Sequence, residues 1–230
     1  MNAILGFAEL LLSNRENNLT ERQQRNVGTI HRNAGNLLEL INELLDLSKI
    51  EAGRMETLSE RFEIQEVIQE SLVVAEPLLR GKPVDVKVTY SDEHLVVETD
   101  RAKVVQIVVN LLSNAAKFTE RGRVDIDVST SGSHFSLVVR DTGVGIPSEK
   151  LESIFREFSQ VSEKSVPGVA GTGLGLAIAE RLCRLLGDTI SVVSTLDEGS
   201  TFTVSLPRTL PPDTATKFEA AAPVELVANG

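Results

Sequence analysis

Over residues 1–52 apolar side chains recur at helical spacing. Ile4, Phe7, Ala8, Leu11 and Leu12 form one stripe, and "SNRENNLT" interrupts it with turn formers. Val27, Ile30, Ala34, Leu37, Ile41 and Leu44 then alternate spacings of three and four, as in a coiled-coil seam. Thr20, with Gln23 three residues on, can form a capping box at the start of the second helix. The pattern predicts a helical hairpin over residues 1–55.

After "KIEAG" the period changes to two. Val84, Val86 and Val88 alternate with polar residues, as do Val124, Ile126 and Val128, then Phe135, Leu137 and Val139, and later Phe202, Val204 and Leu206. Gly, Pro, Ser or Asp bounds each group, as strands require. Between them lie helical stretches at Ile64–Leu79, Lys103–Phe118 and Leu174–Leu186, the last closed by Gly187. Residues 60–207 therefore predict an α/β sandwich with a mixed sheet packed on helices, and the fold class of the whole chain is α+β. Residues 208–230 are rich in Pro, Ala and Thr without periodicity, which predicts a flexible tail or interdomain linker.

One helix stands apart. In "KVVQIVVNLLSNAAKF" the residues Lys103, Gln106, Asn110, Asn114 and Lys117 fall within roughly 80° on the helical wheel. Val, Ile, Leu, Ala and Phe118 fill the rest of the circumference, so the helix should be buried nearly all round except for one polar stripe.

Bulk properties remove several functions. With 41% hydrophobic residues in 230 the chain can build a real core, and with aromatics at 4% that core must be Leu, Val and Ile. A formal charge of −10 and the lack of a Lys/Arg run argue against nucleic-acid binding. One cysteine, Cys183, rules out an internal disulfide framework or thiolate metal cluster, and its apolar helical setting reads as inert packing. His31, His94 and His134 are scattered and make no metal site. No apolar run approaches the roughly 18 residues of a membrane span and no signal peptide is visible. The expected setting is cytoplasmic, without membrane contact by this chain.

Two glycine-rich segments carry the candidate chemistry. In "VVRDTGVGIP" Asp141 leaves a strand just ahead of Gly143 and Gly145. A carboxylate there can accept from an exocyclic amine while residues without a Cβ admit a flat ring, although a turn capped by Asp reads equally well in isolation. In "GTGLGLAIAERL" Gly171, Gly173 and Gly175 open a helix, where free N–H groups and the helix dipole favour phosphate. The spacing matches neither G-x-G-x-x-G nor the P-loop.

The ordered set "NLLSNAAKFT", "DTGVGIP", "IFREF", "GTGLGL" and "GSTFTVSLP" resembles the ATP-binding domain of sensor histidine kinases, within the superfamily of gyrase, chaperone and mismatch-repair ATPases. "MNAILGFAELL" and "LLELINELLDLSKIEAG" resemble the kinases' dimerisation and phosphotransfer hairpin, so the likeness spans residues 1–207. It implies ATP and Mg²⁺ as cofactors, a homodimer with a four-helix core, and a response regulator as partner. By resemblance Asn114 is the metal ligand, Lys117 reaches the phosphates and Asn110 supports both. Asp141, Gly143, Gly145 and Ile146 would hold the base. Gly171, Thr172, Gly173, Leu174, Gly175, Leu176 and Thr201 complete the implied ATP contacts, with Phe155 and Phe158 as the hinge of a mobile lid running to Gly171. In the hydrolysing relatives a glutamate occupies the position of Asn110. An amide cannot take a proton from water, so Asn110 implies a site that holds ATP for another nucleophile.

The resemblance breaks at the start. The family's acceptor histidine lies in a His-Glu-x-Arg-Thr-Pro motif just before the residues that match "MNAILG", and His31, followed by Arg32 and Asn33, does not replace it. No phosphoacceptor is expected in these residues, and no autophosphorylation in cis. A first helix beginning at Met1 would leave Leu37, Leu38, Ile41, Leu44, Leu45 and Ile50 uncovered. Either a longer chain was cut or misassigned at its start, or these residues find a partner. Gln160 stands where some relatives place an arginine, Lys164 is the one cation of "SQVSEKSVPGVAG", and Asp188 replaces a usual glycine. A non-catalytic ATP-dependent docking module is the alternative function. An anti-sigma serine kinase is disfavoured by the hairpin.

Overall fold

The computed structural model describes residues 1–14, 18–159 and 172–211. It divides into two compact units, Met1–Ser48 and Lys49–Gly230. The first contains α1 (Asn2–Leu12) and most of α2 (Glu21–Glu51). Its capping box forms: the Gln23 N–H donates to Thr20 Oγ1 at 3.4 Å, and the Thr20 N–H to Gln23 Oε1 at 2.8 Å. Ile30, Leu37, Ile41, Leu44 and Leu45 are 52, 49, 39, 41 and 53% exposed, so the seam is an open apolar stripe in the single chain. Ile50 departs from expectation. It is fully buried and belongs to the second unit, so it needs no cover from helix one.

The second unit holds β1 (Glu60–Glu63), α3 (Ile64–Leu79), β2 (Val84–Tyr90), β3 (Val96–Thr99), α4 (Arg101–Phe118), β4 (Gly122–Ser131), β5 (His134–Asp141), α5 (Ser148–Leu151), α6 (Gly175–Leu185), β6 (Ile190–Thr195) and β7 (Gly199–Pro207). β2-β4-β5-β7-β6 form a mixed sheet in which only β2 and β4 run parallel, and β1 pairs antiparallel with β3. Alternation sends Val124, Ile126, Val128, Phe135, Leu137, Val139, Phe202, Val204 and Leu206 into the core. α3 and α6 both pack on α4, which is thus the central helix of the layer. Val104, Ile107, Val108, Leu111, Leu112, Ala115 and Ala116 are its buried face, while Phe118 is 36% exposed. Among the described residues no helix is long and apolar enough to cross a membrane.

Three strands escaped sequence reading. β1 and β3 are short and rich in Glu, and β6 lies close behind a helix whose pattern dominates its surroundings. The tail boundary also shifts. The Glu98 N–H donates to the Arg208 carbonyl at 2.7 Å, and the Leu210 N–H to the Glu98 carbonyl at 2.8 Å, so Arg208–Leu210 run along β3 rather than beginning a free tail. Residues 212–230 lie outside the described residues.

Both ends of α4 are tied to segments distant in sequence, the start through Leu58 and the end through Lys82. Asp100 caps its start, accepting from the Lys103 N–H at 3.0 Å and the Leu58 N–H at 2.8 Å. Burial pushes the Asp100 carboxyl up, but these bonds and the Lys103 ammonium outweigh it and hold the group below its ordinary range. At the other end the Lys82 Nζ donates to the carbonyls of Ala116 and Thr119 at 2.9 and 3.3 Å and pairs with Glu120 at 3.2 Å. These carbonyls have no partner within the helix, and the charge complements the negative helix end. We expect Lys82→Ala to lower stability by about 1–2 kcal/mol, seen as a lower urea midpoint with unchanged slope.

Candidate functional site

The polar stripe of α4 divides. Lys103 is spent at the helix start, donating to the Glu56 carbonyl at 2.7 Å and pairing with Asp100 at 2.5 Å, so it does not reach toward the glycine segments. Gln106 is engaged with a partner of its own, and Asn110, Asn114 and Lys117 remain, one turn apart on one face and half-buried. The structure shows no hydrogen bond from their side chains to any described residue.

At Asn110 the start of α6 comes close. A Cβ on Gly175 would lie 3.2 Å from Asn110 Oδ1, so only the smallest residue fits without displacing that amide. α6 begins at Gly175 with Leu174 at its cap position and no side-chain cap bond, which leaves its first N–H groups open. Leu174 is fully buried and anchors the turn, Thr172 Oγ1 accepts from the Leu174 N–H at 3.2 Å, and Leu176 is half-buried. Gly171 lies outside the described residues.

The other end of α4 meets the Asp141 loop. The Val144 N–H donates to the Phe118 carbonyl at 3.3 Å, and a Cβ on Gly143 would collide with that carbonyl. Gly145 has φ +66°, and an added Cβ would strike the Thr195 carbonyl, so both geometry and space demand glycine. Asp141 is 6% exposed, and its carboxylate accepts from the Gly143 N–H at 2.9 Å, while its backbone pairs with Ser200 across the ladder. Burial pushes the carboxyl above its ordinary range, and hydrogen bonding from the neighbouring backbone offsets only part of this. A carboxylate has about four acceptor sites, so it retains capacity for a ligand's donor.

Thr201 and Ser200 lie on opposite faces of β7. Asp141 pairs with Ser200 and shares its inward face, whereas Thr201 pairs with Arg140 and Val193 on the opposite face. Alternation puts Ser200 beside the carboxylate, and that alternation was readable from Phe202, Val204 and Leu206. Ser194 was missed as well: it accepts from the Ile146 N–H at 2.8 Å, tying the buried Ile146 to β6.

Phe155 is buried at 6% exposure, while Phe158 is 58% exposed with φ +56°. The two aromatics therefore play different parts, one in the core and one where the chain leaves it. A Cβ on Gly173 would lie 3.0 Å from the Phe158 backbone, so the two ends of the intervening segment are adjacent. Arg181 on α6 holds Glu157 at 2.8 Å and Glu51 at 3.1 Å, which fixes the chain just before Phe158. The predicted lid, with Gln160 and Lys164, lies outside the described residues. Cys183 is fully buried, burial pushes its thiol up, and it is inert as read. His94 and His134 face Glu63 and Asp188, each at 3.5 Å.

Residues 99–210 match the family described as histidine kinase-, DNA gyrase B- and HSP90-like ATPase, and residues 1–53 match the His Kinase A (phospho-acceptor) domain. The crystallised catalytic domain of the histidine kinase ThkA is 30% identical, with a TM-score of 0.58 over 67% of this chain and 99% of that one. The chain belongs to the sensor histidine kinase family. Full-length ShkA, solved in complex with AMPPNP, superposes with a TM-score of 0.76 at 28% identity over 93% of this histidine kinase chain and 44% of its own. The sensor protein GacS of Pseudomonas syringae pv. syringae is 38% identical over 212 residues, which are 90% of this chain and 23% of GacS. The chain thus spans less than half the length of the first curated relatives it matches, 23 to 40%.

Proposed function

We propose that this histidine kinase chain binds ATP with Mg²⁺ and presents the γ-phosphate to a histidine of a phosphotransfer hairpin, from which the group passes to an aspartate of a response regulator. The setting is cytoplasmic, and the active form is a homodimer assembled through the hairpin. The observation that carries the reading is the span of α4. Asn110 touches the open start of α6 and Phe118 touches the Asp141 loop, a separation of about 12 Å along the axis. That is the scale of a nucleotide from base to terminal phosphate. Asp141 would take the exocyclic amine of adenine, the first N–H groups of α6 the phosphates, and Lys117 their charge.

The residues present fit Mg²⁺ that arrives on phosphate. Among the described residues no three His, Cys, Asp or Glu converge, so no all-protein cage forms. Hard Mg²⁺ takes oxygen ligands and keeps waters, and the Asn114 amide, with Asn110 beside the Gly175 cradle, supplies neutral oxygen on the right face. When bound, the ion neutralises charge on the phosphate oxygens. The chain itself orients ATP, and Asn110 cannot act as a base toward water, so hydrolysis is suppressed.

None of His31, His94 and His134 carries the acceptor motif, and the last two face carboxylates. Incubation with γ-labelled ATP tests the reading. The chain alone should acquire no acid-labile label, whereas a hairpin partner carrying His-Glu-x-Arg-Thr-Pro should be labelled in trans. A partner left unlabelled although nucleotide is bound would favour a docking module, and self-labelling abolished by His31→Gln would overturn the acceptor assignment.

A further inference from the structure

We infer that Ser194 is a positioning residue for base recognition, whose hydroxyl clamps the Gly143–Ile146 loop to the β6–β7 turn and turns the Ser200 hydroxyl so that only acceptors stand beside Asp141. The inference rests on the nucleotide reading above. Asp141, Ser200 and Ser194 form one cross-strand row, contributed by β5, β7 and β6. The next row inward is apolar, made of Val139, Phe202 and Val192. The polar row therefore closes the core at the end where the Asp141 loop sits.

A serine hydroxyl has one proton and two lone pairs, and all three are used at Ser194. Its proton goes to the Gly199 carbonyl at 2.7 Å. One lone pair accepts from the Ile146 N–H at 2.8 Å. Ser200 Oγ lies 3.0 Å away, and because the Ser194 proton is already committed, Ser200 is the donor. The Ser200 proton is thus directed along the row toward Ser194 and away from Asp141, and its lone pairs are what remain. Its N–H is also occupied, in the backbone ladder with Asp141.

A ligand edge approaching this row meets a carboxylate and a hydroxyl oxygen, both acceptors. The exocyclic amine of adenine brings two hydrogens and is matched. The carbonyl that guanine carries at the corresponding position faces acceptor with acceptor and leaves buried groups unpaired. Loss of the Ser194 oxygen would strand the buried Ile146 N–H. It would also release the Ser200 proton to rotate toward the ligand, where it offers guanine the donor that the intact row withholds. A second tether, the Asp197 N–H on the Val144 carbonyl at 2.8 Å, keeps the loop near its place in such a variant.

Titration calorimetry with ADP and with GDP on the whole chain tests this, for wild type, Ser194→Ala and Ser194→Thr. Ser194→Ala is expected to weaken ADP about tenfold and to narrow the preference for ADP over GDP, while Ser194→Thr, which keeps the hydroxyl, restores both. A merely structural role would weaken both nucleotides together and leave their ratio unchanged, and that result overturns the inference. Should Ser194→Ala fail to fold, Ser194→Cys, a weak donor and acceptor of similar shape, decides by the same ratio. Wild type that binds neither nucleotide would instead overturn the nucleotide reading on which the inference stands.

Discussion

Replacing Ile41 or Leu44 by glutamate is expected to convert a dimeric chain into monomers at micromolar concentration. Both side chains lie on the open stripe of α2, 39 and 41% exposed in the single chain, flanked by the exposed Leu37 and Leu45. With about 40% of each side chain left to bury, one contributes about 0.6–1.2 kcal/mol, and in a two-fold symmetric dimer each substitution occurs twice. The loss is then about 1–2.5 kcal/mol from apolar area alone, or roughly five- to sixtyfold in dimer affinity, and the cost of burying two unpaired carboxylates adds to it. Sedimentation velocity reads it directly. Both variants sedimenting as wild type would show that the stripe is not the interface.

Asp141→Asn should abolish most nucleotide affinity without harming the fold. The asparagine keeps the shape but places an amide donor against the amine of adenine, and losing a hydrogen bond to a charged acceptor costs about 1.5–3 kcal/mol, or ten- to a hundredfold. Stability should move the other way. A carboxyl whose folded pKa is raised favours the folded state most below its unfolded pKa, and that contribution is lost as pH rises through the folded value. Because burial raises the Asp141 carboxyl, its ionised form is a cost to the fold at neutral pH, and the amide removes it. Thermal unfolding at pH 7 should therefore come at the same temperature or higher in the variant. In wild type, adenine affinity should fall on acidification at a higher pH than for an ordinary carboxylate, because the protonated group no longer accepts. A variant that binds like wild type would remove Asp141 from the site.

The elements built on strong periodicity were legible. α4 and the strands at Val124, Phe135 and Phe202 announce themselves because one face of each is buried and the other is not, and α2 because its apolar positions repeat at three-four spacing although that stripe is open in the single chain. β1 and β3 were hidden because Glu60, Arg61, Glu63 and Glu98 dilute an alternation only four residues long. The tight turn after Asp141 was legible from its glycines, but the space beside Gly143 and Gly145 is taken by the Phe118 and Thr195 carbonyls, so their reason is backbone approach within the chain. Strand alternation through Phe202, Val204 and Leu206 puts Ser200, and not Thr201, on the face of β7 that Asp141 shares. Lys82 and Ser194 had no local signal, because what they bind comes from other parts of the chain. Ile50 shows the same limit, an apolar residue continuing a seam by pattern yet buried in the second unit by tertiary structure.

A different surface offers the sharpest control for the central claim. The outer face of the sheet carries a shallow, charged depression lined by Asp85, Lys87, Thr89, Arg123, Asp125, Asp127 and Arg140. Its two arginines are already paired, Arg123 with Asp125 at 3.0 Å and Arg140 with Asp127 at 4.0 Å, and Asp85 stands beside Lys87 in the lining, so it has little to offer a phosphate chain. Hydrogen exchange of the whole chain with and without ADP and Mg²⁺ distinguishes the two faces in one measurement. The account predicts new protection at Gly143–Ile146 and Thr172–Gly175, with β2 and the start of β4 unchanged. Protection confined to Asp85–Thr89 and Arg123–Asp127, with the Asp141 loop and the start of α6 exchanging as before, would contradict it.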